Sequence, residues 1–345
     1  MPPEWARTPG VLAAMRHAAE LAEGVHGSTS PNPPVGCVIL DTEGEVVGSG
    51  ATRPPGGPHA EVVALEEAGS RARGGTAVVT LEPCAHTGRT GACAAALRAA
   101  GIGGLVYAVS DRNPPASGGA RELERAGVAV AGGVLAEEVA GGALRGWLHF
   151  ARTGRPHVTW KYAASLDGRS AAADGTSQWI TSPEARVQVH RLRAKCDAIV
   201  AGTGTVLADD PSLTVRDEHG APVPEQPLRV VLGDREVPAG AEVLDDAAPT
   251  LRLPGGDPEG ALRALADRGV VEVFLEGGPT LAGAFLRAGR VDLVQAFVAP
   301  ALLGSGRSAL GDAGVVSISW AWRFYFERVT MCGPDVWISA VPAEG

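Results

Sequence analysis

One histidine, one glutamate and two cysteines in the first third of the chain could together do metal chemistry. His59 and Glu61 form a His-x-Glu pair, Cys84 ends the sequence Glu-Pro-Cys, and Cys93 follows after eight intervening residues. One imidazole and two thiolates are ligands that zinc prefers, and three protein ligands leave the fourth position open for a water. Zinc lowers the pKa of that water towards neutrality. We therefore predict a catalytic zinc site on His59, Cys84 and Cys93, with Glu61 free to carry protons.

A similar pattern occurs in zinc enzymes that deaminate nucleobases, where His-x-Glu precedes Pro-Cys-x-x-Cys and the glutamate is the general acid and base. Here eight residues, 85–92, separate the two cysteines instead of two. One alternative is that the three ligand candidates are unrelated core or loop residues. Another is a non-catalytic zinc module, which would lack the glutamate or have a fourth protein ligand. Cys37, the nearest spare thiol in sequence, is expected in a buried strand.

Strands that alternate with helices would position these residues. In the first half the patterns predict helices at 11–24, 59–69, 91–101, 120–127 and 135–150, and strands at 37–40, 45–50, 76–84, 104–111 and 128–133. This alternation is typical of an α/β sheet with helices on its faces. Helices that begin at His59 and near Cys93 would favour the nearby negative charges.

Length and composition limit the number of domains, the partners and the compartment that are consistent with this chain. A chain of 345 residues favours two domains, and the segment ARTGRP predicts a boundary that gives domains 1–152 and 153–345. The net charge of −9 and the lack of basic runs argue against a nucleic-acid partner. We find no apolar run of 18 residues and no signal peptide, so we expect no membrane span. Five sparse cysteines without a signal indicate a reducing cytoplasm.

The second half carries several polar groups in a second set of strands. These are expected at 157–165, 197–202, 228–233, 271–278 and 291–300, with a C-terminal pair near 322–331 and 335–341 and mobile loops around one strand in 217–260. Lys161 lies in an apolar strand, and glycines at 202–205 and 276–280 follow strands and could admit a phosphate. Each feature has an ordinary alternative: a lysine that snorkels at a strand edge, glycines that only make turns, and a solvated turn or N-cap at Asp209 and Asp210. Neither glycine cluster matches G-x-G-x-x-G.

Segments of both halves strongly resemble the bifunctional riboflavin biosynthesis deaminase–reductases. The deaminase half is matched by SPNPPVGCVI, PHAEVVAL and TLEPCAHTGRTGAC, and that family has the same longer loop between its zinc cysteines. The reductase half is matched by KYAASLDGR, SQWITSPEAR, TVLADDPSLTVR and EGGPTLAGAFL. The resemblance covers roughly residues 11–335. It implies an N-terminal cytidine-deaminase-like three-layer α/β/α domain and a C-terminal dihydrofolate-reductase-like α/β domain.

In the deaminase half, the resemblance implies zinc on the three ligands named above and Glu61 as proton shuttle. It further implies that Asn32, His86 and Arg89 hold the pyrimidine and its phosphoribosyl arm. Without the resemblance, Asn32 could equally be a turn residue between prolines. Many relatives have a histidine seven residues before the zinc histidine, where this chain has Thr52, so one substrate contact stays open.

In the reductase half, the resemblance implies NADPH and a ribotide substrate. The NADPH contacts would be Ala163, Trp179, Thr205, Asp209 and the loop Gly278, Pro279, Thr280, Leu281, Ala282, Gly283 and Ala284. The substrate contacts would be Ser177, Arg193, Leu213, Arg216 and Glu276. Arg193 and Arg216 could clamp a phosphate, and Trp179 offers a flat wall for the nicotinamide ring. Lys161 and Glu276 could handle the proton that accompanies hydride transfer, in either order of roles.

Asp234 departs from the family, because relatives often have serine near the 2′-phosphate of the cofactor. A carboxylate would repel that phosphate, and Arg235 could offset the repulsion. We expect NADPH as the hydride donor. Asp234 argues less strongly against NADH than a serine at this position would.

The implied reactions are hydrolytic deamination of 2,5-diamino-6-ribosylamino-4(3H)-pyrimidinone 5′-phosphate and reduction of its ribosyl chain, giving 5-amino-6-ribitylamino-uracil 5′-phosphate. The expected partners are this small-molecule ribotide and further copies of the chain, in a dimer or tetramer, with no nucleic acid and no membrane. The alternative enzyme is a zinc deaminase for another base, for example in tRNA. The long loop between the cysteines, the acidic balance and the reductase segments all speak against that alternative.

Overall fold

The computed structural model describes residues 2–85, 92–113 and 117–343 of the chain. The chain divides into two compact units, Met1–Gly154 and Arg155–Gly345. This division falls within the segment ARTGRP, where the sequence predicts a boundary after residue 152. Within the described residues, no helix combines the length and apolar character that crossing a bilayer requires.

Unit 1 is built on a five-stranded mixed sheet in the order β2-β1-β3-β4-β5. Strand β1 pairs antiparallel with β2 and β3, whereas β3, β4 and β5 run parallel. The strands are Gly36–Leu40 (β1), Val46–Ala51 (β2), Thr76–Leu81 (β3), Gly104–Val109 (β4) and Ala129–Gly132 (β5). The helices are Pro9–Gly24 (α1), Ala60–Ala68 (α2), Cys93–Ala100 (α3), Gly119–Arg125 (α4), Ala136–Ala140 (α5) and Arg145–Thr153 (α6).

Glycines let helix α2 lie directly on the sheet beside the predicted metal ligands. A Cβ atom on Gly48 would lie 2.2 Å from the Ala64 carbonyl oxygen, and one on Gly50 would lie 2.4 Å from that of Ala60. No side chain larger than hydrogen fits between β2 and α2 at these positions. The close packing fixes the first turn of α2, and with it His59 and Glu61.

The single helix predicted over 135–150 is wrong. Two helices, α5 and α6, occupy this stretch, and Gly141 and Gly142 lie between them. Glycine is about 1 kcal/mol less favourable than alanine inside a helix, so two in succession favour a break. The other strands and helices predicted in the first half are present, with ends that differ by a few residues.

Unit 2 contains an eight-stranded sheet in the order β12-β13-β11-β6-β10-β7-β8-β9. The strands from β11 to β9 in this order run parallel, and β13 and β12 complete one side as antiparallel strands. The strands are His157–Ser165 (β6), Ala198–Gly202 (β7), Leu228–Leu232 (β8), Thr250–Leu253 (β9), Glu272–Leu275 (β10), Leu293–Ala299 (β11), Phe324–Cys332 (β12) and Asp335–Pro342 (β13). The helices are Pro183–Arg193 (α7), Thr203–Asp209 (α8), Pro258–Ala266 (α9) and Pro279–Arg287 (α10).

The sheet of unit 2 has an apolar core on each face. Phe285 of α10 belongs to the core that includes α9, and Phe274 of β10 belongs to the core that includes α7 and α8. The carboxyl ends of neighbouring parallel strands meet at one edge of such a sheet, which is where α/β proteins bind ligands.

One prediction for unit 2 is wrong. Residues 217–260 contain two strands, β8 and β9, rather than one. The second was missed because β9 has only four residues and none of them is buried. At 202–204, the alternative that the glycines only make a turn does not hold, since helix α8 begins at Thr203.

Candidate active sites

His59, Cys84 and Cys93 converge in unit 1 although the chain separates them. His59 is the N-cap of α2, Cys84 follows the carboxyl end of β3, and Cys93 is the first residue of α3. The Nδ1 atom of His59 lies 3.2 Å from the Cys93 sulfur and 3.7 Å from the Cys84 sulfur. The three ligand atoms all lie within 4.8 Å of one another.

This spacing fits zinc. Bonds of about 2.3 Å to sulfur and about 2.0–2.1 Å to nitrogen place the ligand atoms of a tetrahedral site roughly 3.5–3.8 Å apart. In the described part of the chain, the group contains these three residues and no fourth histidine, cysteine or acidic ligand. The arrangement therefore matches a catalytic site with an open position rather than a closed structural one.

The charges around the thiols favour metal binding. A hydrogen bond from the Cys93 thiol and, after the opposing effect of burial, one from His59 lower the pKa of Cys84 to about 4. The same interaction with Cys84 raises the pKa of Cys93, so a single thiolate forms first. The backbone N–H of Cys93 also donates to the Cys84 sulfur at 3.4 Å. Cys84 is therefore already in its ligand form at neutral pH.

Glu61 lies in the first turn of α2 and is almost fully buried. Burial raises the pKa of its carboxyl group, and the negative charge of Cys84 adds to the shift. A carboxyl group with a raised pKa takes up a proton more readily than an exposed glutamate, which suits a general acid and base.

A cavity of about 450 Å³ opens onto His59, Glu61 and Cys84. Its size is in the range of small-molecule sites. Other polar or aromatic residues in its wall are Asn32, Thr52, Glu82, Asp111, Asn113 and Trp147. The main-chain N–H of Asn32 donates to Thr29 in a turn, so this residue both makes a turn and lines the cavity.

Thr52 does not offer the cavity a free side chain. Its hydroxyl oxygen accepts a hydrogen bond from the Val35 N–H at 3.2 Å. The same hydroxyl donates to the Val35 carbonyl oxygen at 3.4 Å. Both hydrogen bonds tie the Thr52 hydroxyl to the main chain of Val35, so the substrate contact that the sequence leaves open at this position stays open. His86 and Arg89, the other two predicted contacts, lie outside the described residues.

Residues after β3 and β4 form part of the wall that the sequence argument did not assign. Glu82 accepts hydrogen bonds from the backbone N–H groups of Asp111, Gly118 and Ala120 at 3.2–3.3 Å. It thereby holds the segment that carries Asn113 against the cavity. Glu82 and Asp111 follow the carboxyl ends of adjacent parallel strands, an adjacency that only the structure reveals.

In unit 2, Lys161, Arg193 and Glu276 form a largely buried charged cluster. Strands β6 and β10 are parallel neighbours with Trp160 opposite Leu275, so the register places Glu276 beside Lys161. The Lys161 Nζ lies 4.0 Å from a Glu276 carboxylate oxygen. Arg193 donates from Nε and Nη2 to the two Glu276 oxygens at 2.5 and 2.8 Å. Strand β6 lies between β11 and β10, so Lys161 is not on an edge strand of the sheet, as the alternative of a snorkelling lysine requires.

The cluster changes the acidity of its members. Burial would raise the pKa of Glu276, but the charges of Arg193 and Lys161 outweigh it and lower this pKa to about 2. Burial lowers the pKa of Lys161, and Glu276 partly offsets that effect. The carboxyl group is therefore ionised, and the ammonium gives up its proton more readily than an exposed lysine.

The predicted cofactor residues lie around the starts of α8 and α10. These helices follow β7 and β10, which are parallel neighbours, and Thr205 Oγ1 accepts a hydrogen bond from the Gly278 N–H at 3.0 Å. Gly278 is the N-cap of α10, which has no side-chain cap. Pro279, Thr280, Leu281, Ala282, Gly283 and Ala284 form the first turns of that helix. A phosphate group fits such a start, because backbone N–H groups and the helix dipole favour an anion.

The remaining predicted residues of unit 2 lie as follows. Ala163 follows Lys161 by two residues on β6, so both side chains face the same side. Ser177 donates to Asp209 at 3.1 Å, and Asp234 accepts from the Gly255 N–H at 3.1 Å. Trp179 is 69% exposed, with the Arg186 guanidinium 4.5 Å from its ring centroid. Leu213 is buried with a φ of +48°, and Arg216 is exposed.

Unit 1 thus has the three-ligand arrangement of a zinc nucleobase deaminase, and unit 2 has a mainly parallel sheet with a buried charged cluster next to the start of α10. Residues 11–109 match the cytidine and deoxycytidylate deaminase zinc-binding region, and residues 156–338 match the RibD C-terminal domain.

Full-length relatives agree. The chain is 56% identical over 328 residues to the riboflavin biosynthesis protein RibD of Mycobacterium tuberculosis H37Rv, covering 95% of this chain and 96% of that protein. The RibD structure of Acinetobacter baumannii has a TM-score of 0.88 at 36% identity, covering 96% and 99% of the two chains. A deaminase/reductase structure from Thermotoga maritima has a TM-score of 0.88 at 32% identity, covering 96% and 98%.

The chain belongs to the RibD family of bifunctional riboflavin biosynthesis enzymes. It combines a cytidine-deaminase-like domain with a reductase domain of dihydrofolate-reductase-like fold, as its sequence predicts. Its activities are zinc-dependent deamination and NADPH-dependent reduction, in that order.

Proposed function

We propose that unit 1 hydrolytically deaminates 2,5-diamino-6-ribosylamino-4(3H)-pyrimidinone 5′-phosphate and that unit 2 then reduces the ribosyl chain to ribityl. The observation that carries the proposal is the convergence of His59, Cys84 and Cys93 at a cavity that His59, Cys84 and Glu61 line. The name of the Thermotoga maritima structure, diaminohydroxyphosphoribosylaminopyrimidine deaminase/5-amino-6-(5-phosphoribosylamino)uracil reductase, supports this choice of substrate.

In the deaminase, His59, Cys84 and Cys93 hold zinc, which when bound supplies a nucleophilic water at neutral pH. Glu61 takes the proton from the attacking water and gives it to the departing amino group. A C–O bond replaces the C–N bond, and ammonia leaves. The raised pKa of the Glu61 carboxyl suits both halves of this transfer.

The same cavity supplies the substrate contacts. Asn32 offers its amide to the edge of the base, and Trp147 offers an aromatic wall. His86 and Arg89 hold the phosphoribosyl arm in this proposal, as the family resemblance implies.

In the reductase, NADPH when bound supplies the hydride. The start of α10 would hold its phosphates, and Ala163, Trp179, Thr205 and Asp209 would complete the cofactor contacts. Lys161 would donate the accompanying proton to the ribose ring oxygen, which opens the ring between that oxygen and C1′, the carbon that NADPH would reduce. Glu276 holds the Lys161 ammonium, since its carboxylate lies 4.0 Å away. Ser177, Leu213 and Arg216 contact the substrate, and Arg216 binds its phosphate.

Product analysis of zinc-loaded enzyme with the diaminopyrimidinone ribotide tests both steps. We expect ammonia without NADPH, and NADPH oxidation with a ribityl product only after deamination. Equal deamination of tRNA, or NADPH oxidation before ammonia release, would contradict the proposed substrate or order.

We further propose that the protein works in the cytoplasm as a homo-oligomer. The five cysteines are free thiols, which supports a reducing compartment. Strand β12 ends the sheet of unit 2 and exposes large apolar side chains, with Tyr325 66% and Phe326 70% exposed. An exposed apolar edge strand is a template for pairing with a second copy.

Sedimentation equilibrium tests this interface. We expect Phe326→Lys to shift the oligomer towards smaller species, whereas Val46→Lys, at an exposed valine of unit 1, leaves the mass unchanged. A monomeric wild-type protein, or an unchanged mass in Phe326→Lys, would contradict the proposal.

A further inference from the structure

The segment Thr214 to Arg216 belongs to no strand of the sheet: it makes one isolated bridge, between Arg216 and Pro222, and is otherwise held largely by side chains. The Arg216 N–H donates to Nδ1 of His190 at 3.2 Å, and Arg193 Nη1 donates to the Thr214 carbonyl oxygen at 2.8 Å. Both of these side chains come from the last turn of α7.

Gln226 holds the residue between them. Its Oε1 accepts from the Val215 N–H at 2.7 Å, and its Nε2 donates to the Val215 carbonyl oxygen at 2.9 Å and to that of Val223 at 2.8 Å. The side-chain amide therefore bonds both main-chain groups of Val215, and the Val215 carbonyl oxygen also accepts the Val223 N–H at 3.3 Å. Four consecutive main-chain groups, from the Thr214 carbonyl to the Val215 carbonyl and the Arg216 N–H, are bonded to three side chains.

The Arg216 side chain that leaves this segment is exposed and bonds only weakly to neutral groups. Its Nη1 and Nη2 lie 3.4 Å from the Gly220 carbonyl oxygen and the Ser212 hydroxyl. A long exposed side chain gains precision from a fixed main chain, because its reach is then set by its own rotamers alone.

We propose that His190 and Gln226 are positioning residues of the reductase, which fix the main chain of Val215 and Arg216 so that the Arg216 guanidinium meets the substrate phosphate. The inference rests on the proposed function, in which Arg216 binds that phosphate.

The environment of His190 keeps its ring neutral, as an acceptor must be. Burial and then the positive charge of Arg193 lower the pKa of His190 to about 4, with further lowering from Arg216 and Lys161 against the opposing effect of Glu276. At neutral pH, Nδ1 is therefore available to accept the Arg216 N–H.

The test is a double-mutant cycle in the full-length, zinc-loaded enzyme, with the deaminated ribotide and NADPH as substrates. We expect His190→Leu to raise KM for the ribotide about tenfold with kcat changed less than about twofold. His190→Asn retains an acceptor near the position of Nδ1 and should recover most of that loss. Gln226→Met should act like His190→Leu. Arg191→Gln, an exposed neighbour on α7, and the deaminase activity of each variant serve as controls.

The double mutant separates positioning from simple destabilisation. In the Arg216→Gln background, His190→Leu should add less than about twofold to KM, since the group that it positions is gone. Amide hydrogen exchange of peptide 212–217 should be faster in His190→Leu and normal in His190→Asn. Faster exchange with unchanged KM, or a full additional loss in the Arg216→Gln background, would overturn the inference. An unchanged KM in Arg216→Gln alone would instead overturn the phosphate role on which it rests.

Discussion

Arg193 and Glu276 form a bidentate ion pair inside unit 2, with hydrogen bonds of 2.5 and 2.8 Å. The third nitrogen of the guanidinium donates to the Thr214 carbonyl oxygen. Every nitrogen of Arg193 therefore has a partner within the protein. Arg193 was expected to clamp the substrate phosphate together with Arg216, and this role stays a prediction. The geometry gives Arg193 a second task, which is to keep Glu276 ionised beside Lys161.

Removing Arg193 should destabilise the fold of unit 2. In Arg193→Leu, the Glu276 carboxylate, of which only 10% is exposed, loses both hydrogen bonds and its nearest positive charge. Breaking a buried pair in this way costs about 3–5 kcal/mol. Urea unfolding monitored by tryptophan fluorescence measures the loss. The double variant Arg193→Leu/Glu276→Leu should recover part of it, and a loss below about 1 kcal/mol in the single variant would contradict the expectation.

The same pair predicts how stability depends on acid. The folded-state pKa of Glu276, about 2, is below its ordinary value of 4.5, so the unfolded chain binds the proton first. Its contribution is complete above about pH 5 and disappears as the pH falls from 4.5 towards 2, amounting to about 3 kcal/mol. The pKa of His190 is likewise lowered, from 6.5 to about 4, so protonation of this side chain also reduces the stability of the fold as the pH falls from 6.5 to 4. Urea titrations of wild-type and Glu276→Gln protein should show a shallower acid limb in the variant, and equal limbs would refute this.

The zinc site could be predicted from sequence because its ligands are rare residue types with a fixed chemistry. His59 and Cys93 each begin a helix, as the patterns indicate, and the apolar strand before Cys84 is easily recognised. Parallel pairing of β3 and β4 depends on contacts distant in sequence, which local patterns do not contain. The assignment of Glu82 and Asn113 to the cavity was missed for that reason.

The reductase site was less predictable because its residues come from many elements. Lys161 and Glu276 are more than 100 residues apart, and only the register of β6 with β10 brings them together. His190 and Gln226 belong to no motif, and their importance follows from main-chain hydrogen bonds that composition does not reveal. The break between α5 and α6 was predictable in principle from Gly141 and Gly142.

Replacing Glu61 should abolish deamination without disturbing reduction. Glu61→Gln keeps the shape of the side chain but cannot accept a proton, and loss of a general acid and base typically costs about 10²–10⁴-fold in rate. Ammonia release measures the first activity, and NADPH oxidation with pre-deaminated ribotide measures the second. Zinc content should stay at the wild-type level, because Glu61 is not one of the three ligand residues. Zinc loss in this variant, or near-normal ammonia release, would show that the glutamate has another role.

Cofactor choice should respond to Asp234, which follows β8 and whose carboxylate accepts the Gly255 N–H. If this carboxylate faces the 2′-phosphate of NADPH, Asp234→Ser removes a repulsion of about 1 kcal/mol, or about fivefold in Kd. Calorimetric titration should then show tighter binding of NADPH and unchanged binding of NADH. Asp246→Ser, at an exposed aspartate elsewhere in unit 2, is the matched control. An equal change for both cofactors would place Asp234 away from the 2′-phosphate, and weaker binding of both would mean that its hydrogen bond to Gly255 shapes the whole cofactor site.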